Sequence, residues 1–176
     1  MATNVAFEIL YKEYYFRVFG LCRRLLNSAD MAEDAAQEVF MRAYQNFDRY
    51  DNSKPFWRWI ASIASNYCID LLRNKTRLQQ FFAEEDSALE HIESADKQQI
   101  SALIHVEDVN ALNGAIAKLD PKYRVPLVLA YYNESSYEQI ASKLSISRSH
   151  VGVLLLRAKQ QISKHLTTQN AGDGEV

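Results

Sequence analysis

Along most of the chain the apolar residues return every three or four positions instead of every second, which predicts helices and no sheet. Phe7, Leu10, Tyr11, Tyr14, Val18, Leu21, Cys22 and Leu25 keep this period and define a first helix with one long stripe expected to be buried. The stretch "NSAD" at Asn27–Asp30 interrupts it with capping residues. A second helix is then predicted from about Met31 to Phe47, with Ala35, Val39, Phe40 and Tyr44 toward the core. "DRYDNSK" reads as a loop. Pro55, whose missing N–H is harmless at a helix start, opens a third helix reaching Arg73 or Arg77 with Phe56, Trp59, Ile60, Ile63, Ala64 and Tyr67 on its apolar side.

After Gln79 the period dissolves into "EEDSALEHIESADKQQISALIHVE", read as an exposed tether because its carboxylates and small residues leave it nothing to bury. Four short helices are predicted beyond it: Val106 to Ala117, Pro121 to Tyr131, Tyr137 to Leu144 and Ser147 to about Leu166. Pro126 predicts an irregular position in the second of these. The expected architecture is all-α. It has a helical domain at 1–78, an acidic linker at 79–105, a four-helix domain with a helix-turn-helix at 106–168 and a flexible polar tail at 169–176.

The formal net charge of -2 hides an uneven distribution. Residues 1–80 carry 11 basic against 9 acidic side chains, 81–100 carry 1 against 6, and 101–176 carry 8 against 7, so the acidity is concentrated in the tether. Cys22 and Cys68 each lie within an apolar helical pattern and read as reduced core thiols, with a disulfide or redox switch as the alternative. The four histidines have no ligand spacing to one another or to the cysteines, so neither metal nor other cofactor is expected. No catalytic constellation stands out, and the chain is not expected to be an enzyme. No apolar run reaches membrane-spanning length and no signal sequence opens the chain, so a cytoplasmic protein without direct membrane insertion is expected.

Three polar surfaces could carry function. In "DMAEDAAQEVF", Asp30, Glu33, Asp34, Gln37 and Glu38 share the face opposite Val39 and Phe40, which is either a solvated face or a docking surface for a basic partner helix. On the third helix Arg58, Ser62, Ser65, Asn66, Ile69 and Arg73 lie on or near one side, continued by Lys75 and Arg77, while Tyr50 and Trp57 lie in or beside the preceding loop. Aromatic rings beside a basic stripe suit the stacking of exposed bases, or form a core with a soluble rim. In "SYEQIASKLSISRSHVGVLLLRAK", Ser136 and Ser147 can cap two short helices that bury Ile140, Ala141, Leu144, Ile146, Val151, Leu155 and Ala158 between them. This is the pattern of a DNA-reading helix-turn-helix or of an αα-hairpin used only for packing.

Taken in order, "FEILYKEYYFRVFGLCRRLL", "AEDAAQEVF", "PFWRWIASIASNYCIDLLRNKTR" and "LNGAIAKLDPKYRVPLVLAYYNESSYEQIASKLSISRSHVGVLLLRAKQQI" resemble the extracytoplasmic-function sigma factors of bacterial RNA polymerase over nearly the whole chain. The resemblance implies a transcription initiation factor that binds core polymerase, recognises -10 and -35 promoter elements and aids promoter opening. It implies that Asp30, Glu33, Asp34, Gln37 and Glu38 meet the polymerase core, and that Tyr50, Trp57, Arg58, Asn66, Arg73, Lys75 and Arg77 meet -10 DNA. Trp59 and Asp70 also match the family pattern, Trp59 being read mainly as core. Lys143, Arg148, Ser149, His150, Arg157 and Lys159 are the residues implied for -35 DNA, and an anti-sigma factor is a further implied partner. The chain departs from the family where lysine and arginine usually stand in the recognition helix: Gly152 and Leu154 occupy those positions. A second reading follows from this departure, a sigma-derived protein-interaction module whose Val153, Leu154 and Leu156 form an exposed adhesive patch.

Overall fold

A computed structural model describes residues 2–75, 82 and 109–172. All of the regular structure among them is helical, and the chain divides into two units, Met1–Thr76 and Arg77–Val176. In the first unit α1 spans Ala2–Leu26 and stops where Asn27 turns left-handed, with φ 54°. The Asn27 N–H closes the end of α1 by donating to the Arg23 carbonyl at 2.8 Å. Ser28 then caps α2 (Ala29–Gln45), its hydroxyl accepting from the Met31 N–H. A short 3₁₀ turn at Phe47–Arg49 and a loop lead to α3 (Phe56–Lys75), with Pro55 just outside the helix.

These three helices pack pairwise. From α2 the core receives Ala32, Ala35, Ala36 and Ala43 beside Val39 and Phe40, small residues that let the neighbouring helices approach closely. The inner stripe of α1 is deeply buried from Val18 to Leu26, but nearer its start Tyr11 stays on the surface. Tyr44, expected in the core, is likewise exposed on one side while its ring meets Phe7 edge-on at 5.2 Å. At this end the aromatic rings pack edge to face, the buried Phe7 and Phe40 against Tyr44 and Tyr11, which keep part of their surface in solvent. Cys22 and Cys68 are buried and free of any disulfide. A hydrogen bond with Cys22, together with burial, pushes the Cys68 thiol far up from its ordinary range, so it stays protonated and unreactive, as the reading of reduced core thiols expects.

The second unit contains α4 (Val109–Ala117), α5 (Pro121–Tyr131), α6 (Tyr137–Leu144) and α7 (Arg148–Gly172). Asp120 caps α5 ahead of Pro121 at its first position. Every residue from Tyr123 to Leu129 is buried, so α5 is the central helix of the unit. The helix continues through Pro126, where the sequence predicts an irregularity, since apolar packing on all sides compensates for the one missing donor. Arg124 is buried with it and is satisfied in part by donation from Nη1 to the Leu119 carbonyl at 2.7 Å. Helix α7 packs against α4, α5 and α6.

Two expectations on the flanking segments change. Within the stretch read as an exposed tether, Phe82 is only 1% exposed, and its ring stands edge-on to His150 at 6.1 Å, so at that position the segment does have something to bury. The other residues of 79–105 lie outside the described residues. Of the stretch expected to be a flexible tail, 169–172 belong to α7, which runs on to Gly172; the last four residues lie outside the described residues.

Lys159, on α7, is 5% exposed, with its ammonium over the Tyr131 ring at 5.2 Å from the centroid. Burial pushes its pKa down from 10.5 to about 8. Between these two values the unfolded chain still binds the proton that the folded chain has released. Stability therefore rises with pH across about pH 8 to 10, and the penalty of the buried charge is fully present below that window. Denaturant titrations of the parent and of Lys159→Met at pH 7 to 10 check this. The substitution is expected to raise stability at pH 7 and to remove the upward slope; a parent-like slope in the variant contradicts the assignment.

Candidate functional site

The acidic residues of α2 face outward by default, because alanine, valine and phenylalanine occupy the inward stripe. Asp30, Glu33, Asp34 and Gln37 are exposed. Glu38 is half-buried, and its carboxylate accepts from Arg42 Nε at 2.6 Å. That arginine also lies over the Tyr67 ring at 4.5 Å, so the C-terminal end of the stripe is partly neutralised from within. Met41 and Tyr44 extend the exposed face with apolar surface. The combination of a charged stripe and an apolar edge can meet a partner that is basic and partly apolar.

Around the loop of residues 46–55 the structure rearranges the expected roles. Trp57 is 7% exposed and is covered by the Arg17 guanidinium, 3.8 Å from its ring centroid. Its ring is thus withdrawn from any incoming base, and the expectation that it serves as a stacking platform is corrected. Tyr50 is half-buried: its ring stacks on Phe47 at 5.8 Å and lies 5.1 Å from Trp59 and 5.4 Å from Phe56. Its hydroxyl donates to the Lys54 carbonyl at 2.6 Å, which closes the loop on itself. Asp51 adds a second closure, accepting from the Ser53 N–H at 3.0 Å and the Ser53 hydroxyl at 2.7 Å, and these two bonds hold its carboxyl below the usual range. The loop is therefore preorganised, and Tyr50 acts within it more than on its surface.

On α3 the outward stripe is Arg58, Ser62, Asn66 and Asp70, spaced one turn apart. Arg58, Asn66 and Asp70 are exposed, while Arg73 is half-buried with Nη1 3.5 Å from Asp70. Ser65 and Ile69, read as part of this side, are buried; the Ser65 hydroxyl donates to the Ser62 carbonyl at 3.1 Å. Lys75 ends the helix, and Arg77 lies outside the described residues. The residue the sequence reading missed is Arg17: it lies on α1, far from the loop in sequence, and no local pattern ties it to Trp57.

In the second unit α6 and α7 form the anticipated helix pair. Ser136 and Gln139 complete a capping box at the start of α6. Ser145 turns left-handed at φ 56°, and the His150 N–H donates to the Ser147 hydroxyl at 3.1 Å at the start of α7. Ile140, Leu144, Val151, Leu155 and Ala158 are buried, with Ala141 and Ile146 half-buried. Of the side chains expected at DNA, Arg148 and Ser149 are exposed, and Lys143 and Arg157 are half-buried. Burial lowers the pKa of Lys143. His150 is fully buried against Phe82, and Lys159 is buried beneath Tyr131, so neither presents its ring or ammonium to a ligand; both expectations are corrected.

The apolar run of α7 is also explained by packing. Leu154 and Leu155 are fully buried, Val153 is half-buried, and Leu156 is exposed. Gly152 is buried too, and a Cβ placed there would stand 3.9 Å from Tyr137 Cε2. That is an ordinary van der Waals distance, so the Tyr137 ring lies beside Gly152 without excluding a Cβ there.

Among the described residues no cluster of potential metal ligands occurs and no helix is long and apolar enough to cross a membrane. Comparison with known proteins supplies the context. The family model for sigma-70 region 2 matches residues 10–78, and that for sigma-70 region 4 matches residues 110–162. The chain is 31% identical over 168 residues to the ECF RNA polymerase sigma factor SigW of Bacillus subtilis, covering 92% of this chain and 89% of that protein. It is 29% identical to the RNA polymerase sigma-H factor of Pseudomonas aeruginosa, covering 92% and 86%. Its fold is similar to that of the sigma factor RpoE in a co-crystal structure with the anti-sigma factor NepR from Bartonella quintana, with a TM-score of 0.60, 18% identity, and 92% and 97% of the two chains covered. With two sigma modules in order and relatives that span it almost end to end, the chain belongs to the extracytoplasmic-function sigma factors, whose general role is to bind RNA polymerase and recognise promoters.

Proposed function

We propose that the two units divide this role between them, with α2 docking on core polymerase, the loop at 46–55 and α3 engaging the -10 element during promoter opening, and the start of α7 reading the -35 element. Members of the family are not enzymes, so the work of this chain is binding. The observation that carries the reading is the exposed stripe Asp30, Glu33, Asp34 and Gln37, which contributes nothing to the core of its own unit. Such a stripe steers and orients a basic partner surface. An anti-sigma factor, the partner named for the structurally similar sigma factor, is a candidate regulator that would compete for these faces.

On α3 the exposed pair Arg58 and Asn66 supports contact with single-stranded DNA, the arginine through phosphate and the amide through a base edge or sugar. The preorganised loop supports capture of an extruded base, since it can meet the base without first being ordered. At α7 only Arg148 and Ser149 remain exposed from the expected first-turn set, which supports weak reading of the -35 element. The acidic character of the segment between α3 and α4 supports a linker role, with Phe82 near its start packed against His150 within the second unit. The alternative of an adhesive module loses its main support, because Leu154 is buried and Val153 half-buried.

Two measurements test the assignment. Glu33→Lys together with Asp34→Lys should leave helicity unchanged and weaken binding to core polymerase at least about tenfold, or ~1.4 kcal/mol. Parent-like affinity for the folded double variant removes α2 from the interface. On single-stranded -10 DNA, Arg58→Ala should lower affinity and flatten the salt dependence by roughly 0.7 in log–log slope, whereas Asn66→Ala should lower affinity with the slope unchanged. If both variants bind as the parent does at every salt concentration, α3 is not the DNA face.

A further inference from the structure

Arg148 is the first residue of α7, and its Nε donates to Glu138 Oε1 at 2.7 Å. The ion pairs Glu8–Lys12, Glu38–Arg42 and Asp70–Arg73 each join residues within one turn of the same helix. Glu138–Arg148 instead joins α6 to α7 across the turn of the helix pair. Its two side chains are 60% and 55% exposed, and a pair so open to water adds little to stability. Holding two long side chains in one geometry also costs rotamer freedom. The consequence of the pair therefore lies in where it puts the guanidinium.

A cation in the first turn of a helix stands at the unfavourable end of the helix dipole, so Arg148 has no intrinsic reason to lie along α7. Glu138, in the first turn of α6, is favoured by the dipole of its own helix and offers Arg148 a fixed acceptor. Burial raises the pKa of the Tyr137 phenol, next to Glu138, and the Arg148 charge partly offsets this rise. With Nε engaged, the four N–H groups on the two Nη atoms remain as a planar fork, the arrangement that matches the O6 and N7 acceptors of a guanine.

We propose that Glu138 is a positioning residue that aims Arg148 for base reading in the major groove, and that its carboxylate at the same time lowers affinity for DNA of unrelated sequence. The proposal rests on the reading of α7 as the -35 recognition helix. A carboxylate near the groove repels phosphate whatever the sequence, while the fixed fork rewards only the base that fits it. Glu138 thus widens the difference between right and wrong sites, which is the quantity that sets specificity.

The test uses holoenzyme reconstituted from the full chain and core polymerase, a duplex selected by the parent holoenzyme from a randomised pool, and versions of it with each base pair of the -35 region replaced in turn. Arg148→Ala is expected to abolish the preference for one guanine-containing pair, at which replacement costs the parent about tenfold. Glu138→Ala should reduce that preference to about threefold or less, while the full chain alone binds the unselected pool about twofold to threefold more tightly than the parent. Glu138→Gln retains an oxygen acceptor for Nε and should recover part of the preference while sharing the gain on the pool. Thermal unfolding of all three variants should match the parent. If Arg148→Ala removes a base preference that Glu138→Ala leaves intact, the positioning role is wrong and the recognition-helix reading stands. If Arg148→Ala leaves every base preference unchanged, the reading of α7 fails and the role of Glu138 fails with it.

Discussion

Each helix of this protein has to turn one stripe inward, and the width of that stripe decides which side chains are left to meet a partner. On α2 the inward stripe is largely alanine, so the helix lies close to α1 and α3 and its acidic residues have nowhere to go but outward. On α7 the stripe is wide, because α4, α5 and α6 all pack against it, and it takes His150, Gly152, Leu154 and Lys159 out of reach. The same requirement that makes α2 a free charged face makes α7 a sparse one. Arg148 and Ser149, at the end of α7 nearest the turn, keep their side chains in solvent.

The loop between α2 and α3 meets this constraint differently. It has no helix of its own beyond one short turn, yet Phe47, Tyr50, Phe56 and Trp59 form a continuous aromatic cluster that binds it to the helical core. Hydrogen bonds from Tyr50 to Lys54 and from Ser53 to Asp51 set its shape locally. On the proposed reading, a loop fixed in this way can offer a pocket to an extruded base with little ordering left to do at the moment of binding. The rings then belong to the scaffold, and contact with the base falls to backbone and polar groups of the loop.

Much of this organisation was legible in the chain because helical periodicity and capping act locally. The break at Asn27 and Ser28, the start of α3 after Pro55, and α6 with its caps all follow from near neighbours in sequence. Burial set by distant packing was not legible. His150 and Lys159 look like available polar groups until Phe82 and Tyr131 are placed against them. Trp57 looks like a platform until Arg17, forty positions earlier, covers it. The absence of the usual basic residues in α7 was visible, but its physical setting, the Tyr137 ring beside Gly152 and the core around Leu154, required the helices in place.

The central claim is that polymerase and DNA are met by separate surfaces, which hydroxyl-radical footprinting of the full chain can test directly. Side-chain oxidation would be compared for the chain alone, with core polymerase, and with core polymerase and promoter DNA. The account predicts that core polymerase alone protects Met41 and Tyr44, at the apolar edge of the α2 stripe, while Leu156 on α7 becomes protected only when DNA is added. Protection of Leu156 by core polymerase alone, with Met41 and Tyr44 oxidised as in the free chain, would contradict it and make α7 the protein-binding surface.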